Sequence, residues 1–343
     1  MSGASLSSRE PLAVILGCAG PELSAAERAF FRDADPLGFI LFQRNCQMPK
    51  QLRALVAALR DSVGRADAPV LIDQEGGRVA RLKPPHWPAY PAPAAIAALG
   101  GAKALEAARA AARLIADDLA GLGITVDCVP VLDMPVAGAN AVIGDRAWGN
   151  APAPVAALGR AVCEGLLAGG VLPVIKHMPG HGRATLDTHH ALPVVKESRA
   201  TLEASDFAPF RALADIPWGM TAHIVYAAID AERPATLSAP VIEQVIRGTI
   251  GFDGVLITDD LSMRALGGSF AARSAGALAA GCDLALHCNG DMTEMKEVAA
   301  AIRPLTAAAR RRVDRAEAQR RAREPLDRGV LEARFRGLMA GEA

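Results

Sequence analysis

Short apolar runs alternate along the chain with longer segments of helical periodicity. The runs are rich in β-branched residues, and the alanine- and leucine-rich segments between them repeat their apolar positions every three or four residues. This alternation is typical of βα units that build a parallel sheet. The predicted strands are Leu12–Gly17, Gly38–Phe42, Val70–Asp73, Val126–Leu132, Val171–Lys176, Trp218–Val225, Val255–Thr258 and Asp283–Leu286. Eight such runs favour a closed (β/α)8 barrel of the TIM type.

Helix-compatible segments separate these strands, and Ser24 and Ser205 are the predicted N-caps of two of them. The segments are Ser24–Ala34, Pro49–Gly64, Ala94–Gly121, Pro152–Ala168, Leu202–Leu213, Ala239–Gly248, Ala271–Ala280 and Asp291–Arg303. A doubly wound open sheet is the rival fold, but no G-x-G-x-x-G opens a helix after a strand. We therefore predict an α/β chain whose residues 1–343 form a single barrel domain, with a basic helical tail from about residue 304.

Charge and cysteine usage narrow the classes of partner. Lysine plus arginine equals aspartate plus glutamate at 37 each, which argues against nucleic acid as a partner and favours a small, weakly charged substrate. We read the arginine-rich stretch 310–323 as a solvated terminal helix. The six cysteines form no C-x-x-C pair, which is typical of a reducing compartment, and we expect a cytoplasmic monomer with no membrane partner.

The N-terminal run Pro11–Leu16 has two interpretations. With Gly17 and Cys18 it resembles a lipoprotein cleavage box, but the run is shorter than a signal peptide's apolar region. It fits equally well as the first buried strand, which is the interpretation that we prefer.

Charged residues follow three of the predicted strands. The segment Asp73–Arg81 begins at the end of the third strand, Lys176 and His177 lie at the end of the fifth, and Asp259 and Asp260 follow the seventh. In a parallel barrel the residues at the carboxyl ends of the strands form the active face. We therefore expect these polar groups to meet in one site.

The densest constellation is the loop 176–190, which holds four of the seven histidines in a Gly- and Pro-punctuated segment. Two kinds of chemistry compete for it. His177, His181, Asp187 and His189 or His190 could ligate zinc for metal-assisted hydrolysis. Alternatively, Asp187 could accept a hydrogen bond from His189 and make it a metal-free acid/base. The spacing permits both.

The run Lys176–His189 resembles the K-H-F-P-G-H-G-x-x-T/D-x-D-S-H signature of family 3 glycoside hydrolases, specifically the bacterial β-N-acetylglucosaminidases of peptidoglycan recycling. Further motifs similar to that family's landmarks occur in order at Gly38–Asn45, Asp73–Arg81, Pro130–Asp133, Gly144–Gly149 and Ile257–Met263. The resemblance extends from about Leu12 to Cys288. It implies a barrel enzyme that needs no cofactor and no metal.

The resemblance also implies a role for each matching residue. Asp259 corresponds to the nucleophile of a retaining mechanism, and His189, paired with Asp187, corresponds to the acid/base. The residues that match sugar-holding positions are Asp73, Arg81, Arg146, Lys176 and His177. Asp260 is the competing nucleophile, but Asp259 lies nearer to the end of the strand.

The implied activity is hydrolysis of the terminal β-1,4-linked GlcNAc of muropeptides that end in 1,6-anhydro-MurNAc, with or without a peptide. Met178, Arg183 and Thr188 depart from the family's usual residues, but none of these changes removes a reacting group. Two alternatives remain: an N-acetylglucosaminide phosphorylase on the same barrel, and a non-catalytic sugar-binding protein. The second would be expected to have lost Asp259 or the Asp187–His189 pair, and both are present.

Overall fold

Eight parallel strands close into a barrel, as the sequence predicts. The computed structural model of the chain describes residues 10–184, 192–320 and 322–341. The barrel strands are β1 (Leu12–Leu16), β2 (Pro36–Leu41), β3 (Val70–Ile72), β4 (Val126–Asp127), β5 (Leu172–Met178), β6 (Trp218–Thr221), β7 (Val255–Asp260) and β8 (Leu284–His287). Each strand pairs with its neighbours in the sequence, and β1 pairs with β8 to close the sheet. The chain therefore has the TIM-barrel fold.

Two of the predicted strands extend several residues beyond the observed ones. The run Trp218–Val225 divides, because β6 ends at Thr221 and Val225–Tyr226 pairs instead with Val194–Val195 in a separate two-stranded sheet. The run Val126–Leu132 keeps regular pairing only over β4 and continues irregularly to Leu132, whose N–H donates to the carbonyl of Lys176. Both departures lie at the carboxyl end of the barrel.

Helices cover the outside of the barrel. They are α1 (Ala25–Ala34), α2 (Pro49–Val63), α3 (Pro93–Ala97), α4 (Gly101–Ala120), α5 (Pro152–Ala168), α6 (Arg199–Ala204), α7 (Ala208–Ala212), α8 (Phe270–Ala280), α9 (Met292–Ala301), α10 (Ala307–Gln319) and α11 (Arg328–Ala340), with a π-type helix at Val241–Thr249. Ser24 forms the predicted N-cap, within a capping box with Glu27. The prediction for Ser205 is wrong, because Ser198 caps α6 and Ser205 follows its last residue.

The N-terminal run forms the first strand of the barrel, as predicted. All five residues of Leu12–Leu16 are buried in the barrel, and Cys18 just after them is buried too. Within the described ranges, no helix is long and apolar enough to cross a membrane.

The basic tail is folded against the barrel. Helix α11 packs on α4, and Arg328 forms ion pairs of 2.9 Å with Asp117 and 2.7 Å with Asp118. In α10, Arg312 lies 2.9 Å from the buried carboxylate of Asp283. These arginines form ion pairs within the chain, which fits a structural role for the tail.

Asp127 is a buried acid within the barrel wall. It is fully buried on β4; its Oδ1 accepts a hydrogen bond of 2.9 Å from the N–H of Gln74, and its Oδ2 has no hydrogen-bond partner among the described residues. Burial, together with the nearby negative charges of Asp73 and Glu75, raises the pKa of Asp127 to about 8. The folded state therefore holds a proton that the unfolded chain releases near pH 4.

The pH dependence of thermal stability should show whether folded Asp127 holds this proton. Because the pKa of Asp127 is raised in the folded state, the stabilisation that its protonation gives is complete below about pH 4. It is lost as the pH rises to about 8. Asp127→Asn mimics the protonated acid, so its thermal stability should match the wild type near about pH 4 and exceed it increasingly up to about pH 8. Thermal unfolding at several pH values tests this, with the exposed Asp67→Asn as control. Parallel plots of melting temperature against pH for the wild type and Asp127→Asn would contradict a raised pKa of Asp127.

Candidate active site

A cavity of about 260 Å³ opens at the carboxyl end of the barrel. Its polar lining comes from strand ends and from the loops that follow them, as expected for a parallel barrel. Asp73 follows β3, Lys176 and His177 lie in β5, and Asp259 lies in β7. Among the lining residues are all of the predicted site residues that fall in the described ranges: Asp73, Arg81, Arg146, Lys176, His177 and Asp259.

The loop after β3 is held in place by the side chain of Gln74. Its Oε1 accepts hydrogen bonds of 2.9 and 3.0 Å from the N–H groups of Arg81 and Leu82, and its Nε2 donates to the Leu82 carbonyl. A buried amide that satisfies three backbone groups fixes the loop. The guanidinium of Arg81 is thereby brought back beside Asp73.

Lys176 is the centre of a buried ion-pair network. Only 2% of its side chain is exposed, and its Nζ lies 2.7 Å from Asp73 and 2.8 Å from Glu75. Arg81 lies 3.0 Å from Asp73, and Arg146 makes two hydrogen bonds of 2.8 Å to Glu75. Three cations therefore face two carboxylates.

The network keeps Lys176 and both carboxylates ionised. Burial alone would raise the pKa values of Asp73 and Glu75, but Lys176 and the two arginines outweigh it and hold both below their usual values. The same carboxylates outweigh burial at Lys176 and raise its pKa. The wall of the cavity thus carries fixed charged groups that can donate hydrogen bonds to hydroxyl groups or accept hydrogen bonds from them.

The two neighbouring aspartates at the end of β7 have different surroundings. Asp260 uses both carboxylate oxygens: Oδ1 accepts from the N–H groups of Ser262 and Cys288 at 3.0 and 3.2 Å, and Oδ2 accepts from the Ser262 hydroxyl at 2.5 Å. In Asp259, Oδ1 accepts from the N–H of Asp260 at 2.8 Å, and Oδ2 lies 4.0 Å from His177 Nε2. Asp260 therefore braces the loop, and Asp259 is the better placed of the two for chemistry.

The carboxyl of Asp259 stays ionised despite its burial. Burial by itself would raise its pKa, but the neighbouring rings of His177 and His223 and the N–H of Asp260 hold the pKa below its usual value. His223 is fully buried; its Nε2 is 3.0 Å from the Asp260 carbonyl, and its Nδ1 is 2.8 Å from the Thr236 hydroxyl. An ionised carboxylate at the cavity wall is the state that a nucleophile requires.

Asp133 lies beneath the two histidines of the cavity wall. It is fully buried. Its Oδ2 lies 2.7 Å from His177 Nδ1, and its Oδ1 accepts a hydrogen bond of 2.6 Å from the N–H of His181. The rings of His177 and His181 meet edge to face, with centroids 5.5 Å apart. Burial lowers the pKa of His181 to about 4, so this ring is neutral at neutral pH.

The start of the histidine loop is tightly packed. A Cβ on Gly182 would lie 1.9 Å from the carbonyl oxygen of Met134, so only glycine fits there. Arg183 follows with an ion pair of 2.8 Å to Asp206 and one of 3.3 Å to Glu197. Asp187 and His189, the predicted acid/base pair, lie outside the described residues.

Two of the ligands of the zinc alternative, His177 and His181, lie in the described part of the chain. Within residues 10–184, 192–320 and 322–341, no group of three or more His, Cys, Asp or Glu side chains is placed to hold a metal ion. Asp187, His189 and His190, which the zinc alternative needs, fall in the gap between the first two ranges.

Sequence reasoning missed three contributors to the site: Glu75, His181 as a wall residue, and Asp133 as a hydrogen-bond centre. Glu75 and Asp133 both occur within motifs that carry the family resemblance. Their partners are 71 and 44 positions away, so only the folded barrel reveals these pairs.

Known proteins resemble this chain over most of its length. Residues 15–321 match the model of the glycosyl hydrolase family 3 N-terminal domain. A β-hexosaminidase of Alkalilimnicola ehrlichii is 39% identical over 283 residues, covering 80% of each chain. NagZ of Neisseria gonorrhoeae, crystallised with N-trifluoroacetyl-D-glucosamine, superposes with a TM-score of 0.84 at 31% identity and covers 98% of both chains.

A larger enzyme shares the same barrel. The family 3 β-N-acetylglucosaminidase of Paenibacillus sp. gives a TM-score of 0.83 at 32% identity, covering 95% of this chain and 67% of its own. Sequence similarity and fold similarity therefore point to the same family. The chain belongs to glycosyl hydrolase family 3.

Proposed function

We propose that this chain is a retaining β-N-acetylhexosaminidase that removes a terminal β-1,4-linked GlcNAc. Its substrates are muropeptides of the GlcNAc-1,6-anhydro-MurNAc type, with or without peptide, and it acts in peptidoglycan recycling in the cytoplasm. The relatives named β-hexosaminidase and the neighbour crystallised with an N-acylated glucosamine support the sugar specificity. The observation that carries the proposal is the ionised Asp259 at the wall of a cavity ringed by buried charges.

In the proposed mechanism Asp259 attacks the anomeric carbon as the glycosidic C–O bond breaks. His189, oriented by Asp187, gives its proton to the leaving oxygen. His189 then removes a proton from water, which attacks the same carbon and releases Asp259. Two inversions give net retention.

The charged side chains at the cavity wall are proposed to recognise the sugar. Asp73, Arg81, Arg146, Lys176 and His177 are proposed to bind its hydroxyl and acetamido groups. Buried polar groups that hydrogen-bond a substrate reject analogues that lack the matching group, because they are then left unpaired. A cavity of about 260 Å³ is suited to one sugar unit, which fits removal of a terminal residue.

Product analysis tests each part of the proposal. Purified protein should release p-nitrophenol from the β-N-acetylglucosaminide and leave the α-anomer and the β-glucoside almost untouched. Proton NMR at early times should show β-GlcNAc as the first product, and α-GlcNAc would contradict retention. GlcNAc-1,6-anhydro-MurNAc should be cleaved to its two sugars. Sugar 1-phosphate in the presence of phosphate would favour the phosphorylase instead.

A further inference from the structure

A buried aspartate and a wall histidine form a second carboxylate–imidazole pair, entirely within the described residues. Asp133 Oδ2 lies 2.7 Å from His177 Nδ1, and the side chain of Asp133 is 0% exposed. The opposite nitrogen, Nε2, faces the cavity and lies 4.0 Å from Asp259 Oδ2. The ring thus connects a buried carboxylate to the one at the cavity wall.

The protonation of Asp133 decides which nitrogen of His177 carries the proton. Burial alone would raise the pKa of Asp133, but His177 and the hydrogen bonds around the carboxylate hold it below its usual value. An ionised carboxylate can only accept hydrogen bonds. Nδ1 must therefore be the protonated nitrogen, and Nε2 of the neutral ring is an acceptor.

We propose that Asp133 is a positioning residue that keeps the proton of His177 on Nδ1, so that Nε2 accepts a hydrogen bond from a sugar hydroxyl beside Asp259. The functional part of this proposal rests on the proposed glycosidase activity. With the other tautomer, an Nε2–H group would point toward Asp259, and Nε2 could no longer accept a hydrogen bond from the hydroxyl.

The hydrogen bonds of Asp133 predict what an asparagine would do in its place. Oδ1 accepts from two backbone N–H groups, at 2.6 Å from His181 and 3.2 Å from His177. In Asp133→Asn the amide oxygen would keep that position because both partners are donors. The NH₂ group of the new amide would then face Nδ1 and force the proton of the neutral ring to Nε2.

Nitrogen NMR of the histidine side chains tests the tautomer directly. In the neutral form of the wild type, the His177 signals should show a protonated Nδ1, and in Asp133→Asn they should show a protonated Nε2. The spectrum of His177→Gln assigns the signals among the seven histidines. For Asp133→Asn we expect kcat/KM with the p-nitrophenyl substrate to fall about 10- to 100-fold.

Asp283→Asn is the matched control. Asp283 is also buried and also accepts from a backbone N–H and from two arginines, but it lies at the opposite, amino end of the barrel. This variant should lower the melting temperature while leaving the proton on Nδ1 and kcat/KM near the wild-type value. An equal loss of kcat/KM in Asp283→Asn would show that Asp133→Asn merely destabilises the fold and would overturn the proposal.

The wild-type spectrum keeps the proposal falsifiable even if Asp133→Asn does not fold. A protonated Nε2 in the neutral wild-type ring overturns it, as does an unchanged tautomer in the variant. Because NMR reads the ring without substrate, a chain with protonated Nδ1 but no glycosidase activity would refute the proposed function and leave the tautomer assignment standing.

Discussion

Replacing Asp259 with alanine should lower kcat for the p-nitrophenyl β-N-acetylglucosaminide by at least about 10⁴-fold. The loss is large because no other carboxylate among the described residues is placed to substitute for Asp259. Asp260, its neighbour, uses both carboxylate oxygens to accept hydrogen bonds from Ser262 and from the N–H of Cys288. Without the carboxylate, the anomeric carbon has no partner for a covalent intermediate, and water must attack unaided.

Azide distinguishes a lost nucleophile from a damaged site. It should enter the space left by the carboxylate of Asp259→Ala, restore part of the rate and give the α-glycosyl azide. Asp260→Asn serves as the comparison, since it should lower the melting temperature but should gain nothing from azide. A β-glycosyl azide, or rescue of Asp260→Asn alone, would assign the nucleophile to another residue.

Trapping gives an independent answer with the unaltered chain. A 2-fluoro or 5-fluoro glycosyl donor should form a stable covalent adduct, which peptide mass analysis should locate on Asp259. An adduct on any other residue would overturn the nucleophile assignment.

The barrel could be predicted from the sequence because its signal is local. Each strand is an apolar run of a few residues, and each polar cluster directly follows such a run, so strand position and active face come from the same pattern. The predicted strand Val255–Thr258 accordingly lies within the observed Val255–Asp260, with Asp259 at its end. Only the boundaries were wrong where the chain leaves the barrel wall, as it does after Thr221.

The prediction of one helix over Ala94–Gly121 failed for a local reason. Gly100 and Gly101 adopt positive φ angles, of 69° and 51°, so the helical path is interrupted between α3 and the body of α4.

Contacts between distant segments could not be predicted from the local pattern. The pairing of Glu75 with Arg146 depends on two loops meeting over the barrel mouth. No periodicity within either loop encodes that meeting, although a charged residue directly after a strand marks where to look.

Replacing Lys176 with methionine should destabilise the protein by about 3–5 kcal/mol and raise KM. Methionine matches the lysine stem in length but removes the cation that Asp73 and Glu75 share at 2.7 and 2.8 Å. Each carboxylate keeps one arginine, so the fold should survive. Chemical denaturation at about pH 7 measures the loss, and Lys103→Met, on the exposed face of α4, controls for removal of a lysine.

The dependence on pH separates lost charge pairing from lost packing. In the wild type the lowered pKa values of Asp73 and Glu75 stabilise the fold above the unfolded value near about pH 4, and this contribution is lost as the pH falls. In Lys176→Met the two carboxylates repel each other and take up a proton more readily, so the stability deficit should shrink from about pH 8 to about pH 5.

A second substitution completes the test. Adding Asp73→Asn to Lys176→Met removes the repulsion between the two carboxylates, so the double variant should lose less stability than the two single losses added together. Simple additivity, with a deficit that does not change with pH, would mean that Lys176 acts through packing alone. A loss in the double variant that is smaller than the sum would instead show that Lys176 stabilises the fold through the balance of charges at the cavity wall.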